Sequence, residues 1–132
     1  MPDLPTSDGA VTLSMPATSA HLRLARLVAS GVASLSDLDF DTMEDLRIAV
    51  DELCSLLLDA ADVGSPLELR YHVGDDVVGV EGWVSVAAGA SIDVPELSRQ
   101  ILETVIDRYD VTTGDGRMSF SLVRSLSTSA IR

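Results

Sequence analysis

An aspartate and a glutamate stand side by side in the middle of an apolar, helix-forming run, as Asp51 and Glu52 of LRIAVDELC. A helix used only for packing has little use for adjacent carboxylates at such a place. They are tolerated at the edge of the buried stripe, facing a cavity or solvent. A glutamate so placed can serve as a general base, provided something holds a substrate within its reach. Where nothing does, it is an edge-of-core carboxylate, hydrogen-bonded or solvated. The residues alone leave both readings of Glu52 open.

Other arrangements are excluded by their spacing. Asp37, Asp39 and Asp41 match the first three ligands of a calcium-binding loop, but Thr42 stands where that loop needs glycine and Ile48 where it needs a bidentate glutamate. His21 and His72 are the only imidazoles and lie far apart, so no metal site is built on them. Cys54 is the single cysteine, which rules out an internal disulfide, and beside an apolar stripe it reads as a small buried hydrophobe. No GxxxxGK[ST], HExxH or GxSxG occurs. Trp83 sits on a strand, where core packing and a contact face are both open.

The elements that must position these residues follow from periodicity. Val11, Leu13 and Met15 alternate with Thr12 and Ser14, the period of a half-buried strand. After Pro16, Thr18 or Ser19 can cap a helix to about Leu35, with Leu24, Leu27, Val28, Val32 and Leu35 as its apolar stripe. Arg23 and Arg26 fall on the other side. A second helix is predicted from Asp41, where Asp41 and Glu44 have capping-box spacing, with Met43, Leu46, Val50, Leu53 and Leu57 buried. Arg47 can pair with Glu44 and Asp51 on adjacent turns. Leu67 to Val73 and Val77 to Val86 read as a hairpin, and a third helix from about Pro95 carries Leu97, Ile101 and Val105. Two strands joined at Gly114-Asp115-Gly116 close the chain. The order β-α-α-β-β-α-β-β predicts an α+β two-layer sandwich, with about three helices on one face of a mostly antiparallel sheet.

The chain has 132 residues, 46% of them apolar and 23% charged, which suits one globular domain over residues 10–124 with loose tails at 1–9 and 125–132. No apolar run approaches the length that spans a bilayer, and the first ten residues lack a signal peptide's basic start, so a cytoplasmic location is expected. A net charge of −12, with nine arginines scattered and no lysine, argues against direct nucleic-acid binding. It does suit a basic protein partner. The lack of lysine beside abundant Ala, Val and Arg suggests a GC-rich bacterial genome.

The segment LDFDTMEDLRIAVDELCSLL, residues 38–57, resembles the central helix of RsbW/UsfX-type anti-sigma factors, of the actinobacterial branch, within the GHKL (histidine kinase-like ATPase) superfamily. The opening ATSAHLRLARLVASGVA is similar to that family's first helix, where an arginine in the position of Arg26 faces the bound sigma factor. The likeness covers roughly residues 10–124 and implies the GHKL fold. It also implies a sigma factor as partner, release by a STAS-domain anti-anti-sigma factor, and homodimerisation. The partner-binding residues it points to are Arg23 and Arg26, with Arg47 in addition.

The departures concern nucleotide. In the family the helix glutamate is followed four residues later by an asparagine that helps to hold Mg-ATP. Here Glu52 is kept and Leu56 follows, and a leucine cannot coordinate magnesium. The family's DxGxG turn after the central strand is missing, with Gly82 and Gly89 standing alone, and Val94-Pro95-Glu96 replaces a glycine-rich turn. The ATP site therefore reads as degenerate and no cofactor is expected. The leading expectation is an anti-sigma factor. The alternatives are an active serine-protein kinase of the same family, with Glu52 as its base, and a small α/β interaction module unrelated to sigma factors. Replacing Arg26 with Glu is expected to weaken sigma binding and leave stability nearly unchanged.

Overall fold

Period-two strands and period-3.6 helices follow one another in the order β-α-α-β-β-α-β-β. The computed structural model describes residues 10–35 and 39–125. The strands are β1 (Val11–Pro16), β2 (Pro66–Val73), β3 (Val77–Ser85), β4 (Arg108–Gly114) and β5 (Arg117–Ser125). The helices are α1 (Leu22–Ala33), α2 (Phe40–Ala60) and α3 (Glu96–Val105), with one 3₁₀ turn at Ser19–His21. The strands form a single sheet in the order β1-β2-β3-β5-β4, every neighbouring pair antiparallel. Of the two tails expected to be loose, 1–9 and 126–132 lie outside the described residues, as does Asp37; Ser125 is the last residue of β5.

One sheet face carries Leu67, Leu69 and Tyr71, then Val78, Val80 and Val84, then Met118, Phe120 and Leu122, all buried under the helices. The register places Gly82 between Leu69 and Phe120. A Cβ there would come within 2.7 Å of both the Leu69 and the Phe120 side chains. Gly82 thus belongs to core packing, where the Phe120 ring takes the missing side chain's space. Trp83 points the other way, half-buried on the opposite face, with Arg117 4.5 Å and Arg70 5.6 Å from its ring centre. Trp83 is thus not part of the core beneath the helices. Asp115 and Gly116, both at positive φ, make the tight β4–β5 turn.

The two long helices correct three expectations. On α1 the buried residues are Leu22, Ala25, Ala29, Val32 and Ala33, while Leu24 and Leu27 are 43% and 58% exposed. Small residues win the inner face because they let α1 lie close to its neighbours; the buried Tyr71 hydroxyl donates to the Ala25 carbonyl at 3.0 Å. Neither Thr18 nor Ser19 caps α1, because the 3₁₀ turn intervenes and the Thr18 hydroxyl lies 2.8 Å from His21 Nδ1. At α2 the cap is Asp39, whose carboxylate accepts the Thr42 amide at 2.7 Å, two residues earlier than the expected Asp41–Glu44 box. The α2 stripe is as expected in Leu46, Val50, Leu53 and Leu57, extended by Thr42, Ala49 and Cys54. On α3 the inward residues are Ser98, Leu102 and Val105, and Leu97 is exposed. A serine on that face hides the period.

Candidate functional site

Adjacent residues on a helix point about 100° apart, so Asp51 and Glu52 serve different surfaces. Asp51 faces α1, where its Oδ1 accepts from Arg26 Nη1 at 2.6 Å. Arg47 pairs at 2.5 Å with Glu44, on its own helix, and of its two expected partners Asp51 belongs to Arg26 instead. Arg26 and Arg47 are therefore both held by carboxylates. Arg23 is exposed and, among the described residues, has no ion-pair partner. Of the three arginines expected at a partner face, Arg23 and Arg26 lie on α1 and Arg47 on α2, and Arg23 is the one whose charge is uncommitted.

Glu52 faces α3. Its Oε2 accepts the Ser98 hydroxyl at 2.5 Å, tying α2 to α3. Sequence reasoning missed Ser98, because its partner across the helix seam is 46 residues away. Further along the same side of α2, Leu56, Asp59 and Ala60 line a cavity of about 240 Å³ closed by Ile92, Asp93 and Pro95. Glu52 is not part of that lining. Gly89, at φ +83°, makes the turn in the strand-to-helix segment, flanked by Ala88 and Ala90.

Mg-ATP does not fit this set of residues. The charged side chains lining the cavity are the carboxylates of Asp59 and Asp93, which repel phosphate, and no arginine lines it. Leu56 is partly buried against the core, and offers no oxygen to a metal. The Glu52 carboxylate is engaged by Ser98. Among the described residues no three His, Cys, Asp or Glu converge on a metal-sized site. Burial pushes the Cys54 thiol far above its usual range, with the Asp51 charge adding to it, which leaves it inert.

Arg23 is exposed beside the exposed Leu24 and Leu27, and the Glu52–Ser98 bond joins α2 to α3. The element order, the single antiparallel sheet and the mid-helix Glu52 together define a domain of the GHKL class. No family model matches the chain. The anti-sigma-F factor RsbW of Mycobacterium tuberculosis strain H37Rv is 34% identical over 121 residues, spanning 87% of this chain and 71% of that protein. The serine-protein kinases RsbW of Halalkalibacterium halodurans and Bacillus subtilis are 34% and 33% identical over 67 and 69 residues, half of this chain and 41% and 43% of their own lengths. A crystal structure of the RsbU and RsbW domains of a Mycobacterium tuberculosis protein superposes with a TM-score of 0.74 at 14% identity, over 92% of this chain and 34% of that one. The chain belongs to the RsbW family.

Proposed function

We propose that this chain is an anti-sigma factor that holds an RNA polymerase sigma factor on the outer face of α1, without bound nucleotide. The observation that carries the reading is the 34% identity to an anti-sigma-F factor across 87% of this chain. The acidic net charge of −12 supports it, because a sigma factor is a DNA-binding protein whose basic surfaces such a charge attracts. Leu56, the Asp59 and Asp93 carboxylates and the Glu52–Ser98 bond support action without Mg-ATP. The protein then works in the cytoplasm by occupancy. A STAS-domain anti-anti-sigma factor releases the sigma factor by competing for the chain, and the working unit is a homodimer. No described helix is long and apolar enough to cross a membrane.

The test pairs two titrations. Sigma factors of the host cell, purified singly, are titrated into the chain, and suppression of run-off transcription by the same sigma factor is followed in parallel. Stoichiometric binding and suppression are expected for at least one; binding to none removes the reading. Calorimetry with Mg-ATP is expected to show no binding. Micromolar binding, or phosphate transfer to a STAS partner, would restore the kinase reading that the retained Glu52 keeps in view.

A further inference from the structure

The cavity between α2 and the segment leading into α3 is graded from apolar to charged. Met118, 1% exposed, lies at its inner end. Leu56 and Ala60 from α2 and Ile92 from the segment line it next, each packed against the core. Asp59 and Asp93, both exposed, come to its opening from the same two elements. An apolar cavity with a few convergent polar groups is the form a small-molecule site takes, and about 240 Å³ is small for one.

Its charges are unspent. Arg26, Arg47, Arg70, Arg99 and Arg124 each stand against a carboxylate, and none of those carboxylates is Asp59 or Asp93. Neither aspartate side chain has a hydrogen bond or ion pair among the described residues, and no arginine lines the cavity. Two carboxylates brought to one opening repel each other, and a cation between them removes that repulsion. The lining decides which cation. A metal ion asks for more ligands than two side chains give, and among the described residues no three His, Cys, Asp or Glu converge. A quaternary ammonium is recognised by aromatic faces, and no aromatic residue lines this cavity. An ammonium or guanidinium on an aliphatic stem meets both demands. It brings N–H donors to the carboxylates and methylenes to Leu56, Ile92 and Met118.

We infer that this cavity binds a small aliphatic amine or guanidine, with its stem toward Met118 and its cationic head between Asp59 and Asp93. The volume limits the ligand to about six or seven non-hydrogen atoms. The charge it selects is opposite to that of a nucleotide. The site does not depend on which protein α1 holds.

The test titrates the isotope-labelled full chain with n-pentylamine and n-butylguanidine in about 0.15 M salt, followed by amide chemical shifts. Pentanol and pentanoate serve as the neutral and anionic counterparts. Dissociation constants of about 1 mM are expected for the two cations, with shifts confined to residues 56–60 and 91–95. Pentanol should bind about tenfold more weakly and pentanoate not at all. Asp59→Asn and Asp93→Asn should each weaken n-pentylamine about threefold, and the double variant about tenfold. These variants keep side-chain shape and remove the repulsion, so they should melt at the wild-type temperature or above. Equal affinity for n-pentylamine and pentanol, or an affinity unchanged in the double variant, overturns the inference. Shifts scattered over the acidic surface do the same, because they report general attraction to a chain of net charge −12. If Mg-ATP shifts residues 56–60 and 91–95 and the amine does not, the cavity takes nucleotide, and this inference falls with the nucleotide-free reading. Amine binding in a chain that binds no sigma factor upholds the inference while the anti-sigma reading falls.

Discussion

The two sides of α2 begin from neighbouring carboxylates and end in different roles. Toward α1, Asp51 takes Arg26 and leaves an outer surface of leucines with one uncommitted arginine. Toward α3, Glu52 takes the Ser98 hydroxyl, and the cavity beyond it is lined with acids and a leucine. The first side keeps exposed apolar groups and uncommitted charge, which is what a contact surface needs. The second has its glutamate bonded to a serine, and the acids lining its cavity repel phosphate. A fold whose relatives include kinases can thus retain a mid-helix glutamate whose present partner is a structural serine.

The strongest way to break this comparison is to remove what both sides share. Leu53 is fully buried on α2 between them. Leu53→Ala is expected to cost about 2–5 kcal/mol, the range for emptying a core leucine site. Urea denaturation should show one cooperative transition at lower midpoint, with sigma binding lost only as the fold is lost. Two separate transitions would mean that the two sides are independent units. The α3 side alone is sharpened by Ser98→Ala, which leaves the Glu52 carboxylate without its donor. About 1.5–3 kcal/mol of stability should be lost, as expected for a hydrogen bond to a charged group. Sigma affinity should stay within threefold; a larger fall would join the two sides into one site.

The α1 side is tested by a double-mutant cycle on Arg26 and Asp51. Both side chains are over a third exposed, so water screens the pair and its coupling should be about 0.5 kcal/mol. Arg26→Glu places a second acid against Asp51, so the variant should melt below the wild type. This corrects the sequence-based expectation that its stability is unchanged. The exchanged pair, Arg26→Asp with Asp51→Arg, should recover most of the melting temperature. A loss in the double variant equal to the sum of the two single losses would show that the ion pair contributes nothing.

How much of this was legible in the sequence depended on what each residue answers to. The strands and the α2 stripe were legible because Leu67, Leu69 and Tyr71, like Leu46, Val50 and Leu53, repeat at the period of their own element. The order of elements and the one-sided sheet followed. On α1 the reading went to the larger leucines, because transfer free energy favours burying them. Close approach between helices instead selected the alanines, whose spacing at Ala25, Ala29 and Ala33 was the available signal. Glu52 was legible as an anomaly, but its partner was not: Ser98 lies on another helix, and nothing local marks it. Arg26 was expected to face a partner and is spent on Asp51, a pairing fixed by how two helices cross.

The smallest expected effect concerns the start of α2, which orients both sides at once. The Asp39 carboxylate sits below the usual range, held there first by hydrogen bonding from Thr42, through its side chain and its backbone amide, and then by the Arg124 charge. A carboxyl whose pKa is lower folded than unfolded binds protons more readily in the unfolded chain. Its contribution is therefore fully present above the unfolded value, about 3.9, and is lost as pH falls through the folded one. Asp39→Ala should lower the melting temperature modestly at pH 7 by leaving the Thr42 amide uncapped. That gap should close as the pH falls below about 4, where the wild type loses its cap by protonation. Since the ion pair and the serine bond lie more than two turns further along α2, both should keep their measured couplings in the Asp39 variant. A change in either would mean that the helix start, and not the residues facing each side, sets the division between the two surfaces.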